Sequence, residues 1–109
     1  MAGFVKGDIV VIPFPFSDLS GSKKRPAMVL ADLPGDDIIL CQITSQQSND
    51  VYAVAIDNAD FISGSLPVSS NVRPSRIFTA DKKIILKKSG TLNSGCIAKI
   101  SKTIVKLSG

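Results

Sequence analysis

Residues 7–32, GDIVVIPFPFSDLSGSKKRPAMVLAD, decide the fold. Two apolar runs, 8–13 and 25–31, read as strands, and the segment between them holds Pro13, Pro15, Ser17, Asp18, Ser20, Gly21 and Ser22, residues that interrupt regular structure. A tight hairpin joins its strands through about two to five residues; a connection of roughly eleven is long, and loops of that length tend to carry function. The loop closes on Lys23, Lys24 and Arg25, three cations in a row, where the chain re-enters a buried strand. An Arg at the mouth of a strand, beneath a basic loop, suits the gripping of an anion, although the same charges also serve as a solvated surface.

Outward from that pair, residues 38–43 (IILCQI) form a short, nearly all-apolar run that reads as a buried strand, after a turn of Pro34, Gly35, Asp36 and Asp37. Asp36 and Asp37 belong on the surface of that turn. The polar stretch 44–50 (TSQQSND) follows directly, and hydroxyls and amides at a strand end can line a phosphate pocket. Residues 51–56 predict another strand and 63–65 a loop. Residues 66–72 alternate only loosely, and Pro74 lacks a ladder donor, so 73–76 predicts an edge or a bulge. Residues 84–86 predict a short strand before Lys87. Asn93 or Ser94 caps a final helix, in which Ile97, Ile100, Ile104 and Leu107 make one apolar stripe opposite Lys99, Lys102 and Lys106. Several short strands, a long early loop and one terminal helix predict a mainly β chain, a small bent antiparallel sheet closing into a barrel with a C-terminal helix.

The chain of 109 residues predicts one domain with a single modest core. No apolar run reaches the roughly 18 residues of a membrane span, and no signal peptide opens the chain, so a cytoplasmic protein is expected. The net charge of +4 is uneven: residues 1–60 carry four Lys/Arg against eight Asp, and residues 61–109 carry nine against Asp81 alone. A basic half suits a polyanion such as nucleic acid, or an acidic protein. There is no His and no Glu, which removes the usual general base near neutral pH, the Ser-His-Asp triad and every His-containing metal site. No metal or other cofactor is expected. Cys41 and Cys96 read as reduced, buried thiols, with a single disulfide as the alternative.

The opening stretch, with Gly-Asp before a strand and Arg25-Pro26-Ala27 after a basic loop, resembles the MazF/PemK family of toxin–antitoxin toxins, which are small ribonucleases. Ile43-Thr44-Ser45 and residues 72–83, VRPSRIFTADKK, are similar to further stretches of the same family, so the resemblance extends over almost the whole chain. It implies an SH3-like antiparallel β-barrel of the CcdB/PemK/MazF type with a C-terminal helix, and a homodimer with an antitoxin partner. It also implies metal-independent, sequence-specific cleavage of single-stranded RNA. By the same resemblance Arg25, Thr44 and Arg73 take the catalytic places, with Lys23, Lys24, Ser45, Gln46, Ser75 and Arg76 as RNA-binding neighbours. Two departures stand out. The Asp that follows the Arg by two residues in some members is Ser75 here, and the Glu often found in the first loop is missing, with Lys23 near its place. The base that would take a 2′-hydroxyl proton is left open among Asp18, a water and charge stabilisation alone. A non-catalytic barrel that binds RNA or antitoxin, and a gyrase-directed toxin like the CcdB relatives, are the alternative readings.

Overall fold

The computed structural model describes residues 3–14, 23–45 and 50–109, with Phe14 described by its backbone alone. Seven strands, β1 (Asp8–Phe14), β2 (Lys23–Asp32), β3 (Asp37–Thr44), β4 (Val54–Ile56), β5 (Phe61–Gly64), β6 (Ser70–Asp81) and β7 (Lys87–Leu92), precede one helix, α1 (Ser94–Ser108). The strands form one curled antiparallel sheet in the order β4-β6-β3-β2-β1-β7-β5, a half-barrel in outline. The long loop after β1 and residues 46–49 lie outside the described residues.

The apolar runs of β1, β2 and β3 do not alternate because both faces of the sheet are covered, and a strand buried on both sides reads as a continuous apolar run. On one face Ile9, Met28, Cys41, Ile43, Val72 and Leu92 pack with Cys96 and Ile100 of α1. On the other, Val10, Ile12, Ala27, Val29, Ile38 and Leu40 pack with Phe4, Phe78 and Ile85. Helix α1 starts where Asn93 Oδ1 accepts from Cys96 N at 2.8 Å, satisfying a donor that the first turn cannot use. Its Ile100 is fully buried while Lys99, Lys102 and Lys106 stay exposed, as the stripe requires. Cys41 and Cys96 are both buried and free, not joined.

Several boundaries move. Val51 and Tyr52 form a turn, with Tyr52 N donating to Asp50 Oδ1, and only Val54–Ile56 pairs as β4. The residues expected as a loop at 63–65 begin inside β5, which pairs with β7. The strand expected at 84–86 is displaced to Lys87–Leu92: Asp81 caps a short 3-10 turn, Lys82–Ile84, by accepting from Lys83 N. The sequence KKSGTL has little intrinsic β preference, but pairing to β1 on one side and β5 on the other overrides it. Gly90 permits that second pairing, since a Cβ there would come 2.5 Å from Ser63 O.

Pro74 is buried within β6, just past the three residues, Ser70 to Val72, that pair with β4. The bulge expected around it is present: between the pairs Cys41↔Ile77 and Ile43↔Val72, β3 advances two residues while β6 advances five. Residues 73–76 fall in that excess, where no ladder donor is demanded of a proline. The bulge bends β6 and turns Arg73 away from the regular ladder.

Candidate functional site

Strand register assembles the site from three neighbouring strands. Ile12 pairs with Arg25 across β1 and β2, and Thr44 pairs with Asn71 across β3 and β6. The β2–β3 ladder ends at Ala27↔Gln42, and Arg25 and Thr44 each lie two residues beyond that last pair, at the same end of the sheet. Arg25 on β2, Thr44 on β3 and Asn71 on β6 thus lie at one end of the sheet, on three neighbouring strands. Residues 19 and 27 positions apart in the chain are brought to that end by the strand order.

At the same end of the sheet a cleft of about 560 Å³ is lined by Lys23, Lys24, Arg25, Pro26, Ser45 and Ser70, with Val11, Leu66 and Lys87 among the rest. Lys23 and Lys24 are exposed and Arg25 is half-buried, its strand position fixed by pairing with Ile12 of β1. Lys87 is a further cation that the sequence pattern did not single out. It arrives because Val11 pairs with Pro26 on one side and Lys87 on the other. Four cations therefore border one concavity, and with low-dielectric walls around them such a grouping favours an anion.

Thr44 is largely buried and is not among the residues lining the cleft, whereas its exposed neighbour Ser45 is. Gln46 lies outside the described residues, as does Asp18. Arg73, Ser75 and Arg76 do not line the cleft either; they belong to the β6 bulge, where Ser75 and Arg76 are exposed. The site thus has two parts, the cation-lined cleft and the bulge, joined by the Thr44–Asn71 pair.

The bulge holds a group that sequence reading missed. Asp50 Oδ2 accepts from Ser75 Oγ at 2.8 Å and from Arg73 Nε at 3.3 Å, and Asp50 Oδ1 accepts from Tyr52 N at 2.9 Å. The Tyr52 amide, then the Ser75 hydroxyl and the Arg73 guanidinium, hold the Asp50 carboxyl below its ordinary value, so it is ionised near neutral pH. Cys41 Sγ donates to Arg73 O at 2.9 Å from beneath, and burial pushes that thiol up to about 12. Asp50 ends a polar run, TSQQSND, and nothing in its spacing distinguishes it from a surface turn residue. Among the described residues no three His, Cys, Asp or Glu side chains gather as a metal set would. No helix among the described residues is long and apolar enough to cross a membrane.

These features define a class: a small antiparallel β domain, one face covered by a terminal helix, with a cation-lined cleft at the strand ends. Solved structures of the same fold include an endoribonuclease in complex with its cognate antitoxin from a mycobacterial species. It has 14% identity and a TM-score of 0.76 over 97% of this chain and 95% of that one. A MazE–MazF complex from Deinococcus radiodurans superimposes with a TM-score of 0.78 at 19% identity, over 99% and 98% of the two chains. The Mycobacterium tuberculosis toxin MazF-mt6 does so at 0.72 and 17% identity, over 91% and 93%. No curated protein sequence matches the chain. The family model of the PemK-like, MazF-like toxins of type II toxin–antitoxin systems matches residues 5–108, and the chain belongs to that family.

Proposed function

We propose that this toxin is a metal-independent, sequence-specific endoribonuclease that cuts single-stranded RNA. In this reading the substrate's own 2′-hydroxyl attacks the adjacent phosphorus. The new 2′-O–P bond replaces the P–O5′ bond, leaving a 2′,3′-cyclic phosphate and a free 5′-hydroxyl that takes up a proton. The protein's part is to hold the phosphate in line and to neutralise charge gathering on its oxygens. Arg25 suits that part because its planar fork matches two phosphate oxygens. Thr44 supplies a hydroxyl at the same end of the sheet, and Arg73 a second cation. Lys23, Lys24 and Lys87 at the cleft, with Ser45, carry the flanking phosphates and bases.

The observation that carries this reading is a cleft lined by Lys23, Lys24, Arg25 and Lys87 at the end of the sheet where β3 closes on Thr44. The family membership and the endoribonucleases that share the fold support it. An antitoxin would be an acidic or partly acidic chain competing for the same cations, and a homodimer would enlarge the groove around them. The test is a single-stranded RNA pool incubated with the purified chain and a chelator. Cleavage with EDTA present, cyclic-phosphate ends on the products, and an uncut but still bound 2′-deoxy substrate are expected. Cleavage of the deoxy substrate, or activity abolished by EDTA, would refute the mechanism.

A further inference from the structure

We infer that Asp50 is a positioning residue that clamps Arg73 for work on the RNA phosphate. This rests on the ribonuclease reading above and adds a residue to it. Arg73 is held at two points. Its backbone carbonyl accepts from Cys41 Sγ at 2.9 Å, and its guanidinium donates through Nε to Asp50 Oδ2 at 3.3 Å. Asp50 is itself fixed, by Tyr52 N on one oxygen and by Ser75 Oγ on the other. The clamp spans 23 residues between Asp50 and Arg73 and 25 between Asp50 and Ser75, so only the folded bulge assembles it.

The geometry matters because the bond uses Nε. A guanidinium carries two donor edges, and engagement from Nε leaves the Nη1–Nη2 edge to grip a phosphate. A free Arg side chain would lose rotamer freedom on meeting its ligand; one already held loses less. The carboxylate's own charge opposes RNA, but it meets the guanidinium at Nε, so a phosphate gripped by the Nη1–Nη2 edge lies nearer the guanidinium than the carboxylate. The attraction of Arg73 therefore exceeds the repulsion of Asp50. Removing the negative charge should help RNA bind while loosening the group that acts on it. A merely structural aspartate would not separate the two effects.

The test is Asp50→Asn, assayed for kcat and KM on a single-stranded RNA that the wild-type chain cuts. Misplacing a catalytic group by about an ångström costs up to about 10²-fold, so a fall in kcat of that order is expected with KM unchanged or lower. Ser75→Ala, which removes the Ser75 hydroxyl contact on Asp50, should lower kcat in the same direction by less. Asp50→Asn combined with Ser75→Asp returns a carboxylate to the other end of the 2.8 Å Ser75–Asp50 contact and should recover most of the loss. The Arg73 Nε–H signal in nitrogen-edited NMR, slow to exchange in the wild type and fast in Asp50→Asn, reads the clamp without any cleavage. Wild-type kcat in Asp50→Asn, a raised KM with kcat unchanged, or a fast-exchanging Arg73 Nε–H in the wild type would each overturn the inference. A wild-type chain that cuts no RNA would instead overturn the ribonuclease reading.

Discussion

Replacing Arg25 by Ala tests the centre of the site. A unit positive charge about 4 Å from a phosphate oxygen is worth roughly 4 kcal/mol at an effective dielectric of about 20, the value suited to a group near a protein surface. Arg25 is half-buried at the mouth of an open cleft, with Lys23 and Lys24 beside it, so water and the neighbouring cations replace part of that energy once it is gone. About 3 kcal/mol should remain as lost transition-state stabilisation, or about two orders of magnitude in rate. Arg25→Lys retains the charge but not the two-point grip, and should recover only a small part of the loss. The assay is single-turnover cleavage of a doubly labelled RNA at saturating protein, with circular dichroism and a thermal melt to establish that each variant folds. Saturation matters because it removes weaker binding from the measured rate. A folded Arg25→Ala variant that cuts as fast as the wild type would refute the assignment. Full activity in Arg25→Lys would refute the bidentate grip while leaving the charge argument standing.

Four further outcomes are expected. Ile100→Ala removes three carbons from a fully buried side chain on the face of α1 that meets the sheet. At about 0.8 kcal/mol per buried carbon plus a cavity cost, the loss is about 3 kcal/mol, seen as a Tm lowered by roughly 10–20 °C. Cys41 is fully buried and burial pushes its thiol up to about 12, so iodoacetamide at pH 8 should leave it intact until the chain is unfolded in urea. The sign of the linkage follows: the unfolded thiol ionises first, so stability should fall as pH rises from 9.0 toward 12, read from urea midpoints across that range. The half-barrel leaves β4 and β5 as sheet edges, so light scattering at micromolar concentration should give a mass near twice the 11.5 kDa of one chain. A single-chain mass would count against the homodimer.

The amino-acid sequence by itself determined the central strands, the final helix and the family. Runs such as 38–43 are apolar on both sides because the strand is buried on both sides, and that property is written in the residues themselves. The stripe of Ile97, Ile100 and Ile104 and the cap at Asn93 are equally local, since neighbours three and four apart in a helix are neighbours in the chain. Arg25-Pro26-Ala27 and Ile43-Thr44-Ser45 marked the family because those short stretches keep their order whatever the rest does.

The tertiary structure decided the edges and the partners. Lys87–Leu92 is a strand only because β1 and β5 lie on either side of it, and Val51 and Tyr52 are not, because the pairing to β6 starts at Val54. Pro74 sits within β6 because a bulge of that strand against β3 excuses it from the ladder. Lys87 joined the cleft, and Asp50 met Arg73 and Ser75, through contacts between residues far apart in the chain. No local periodicity encodes such meetings: an aspartate in a polar turn has the same sequence signature whether it faces water or a guanidinium. Only the path of the backbone, set by burying both faces of the sheet, brings the one charge to the other.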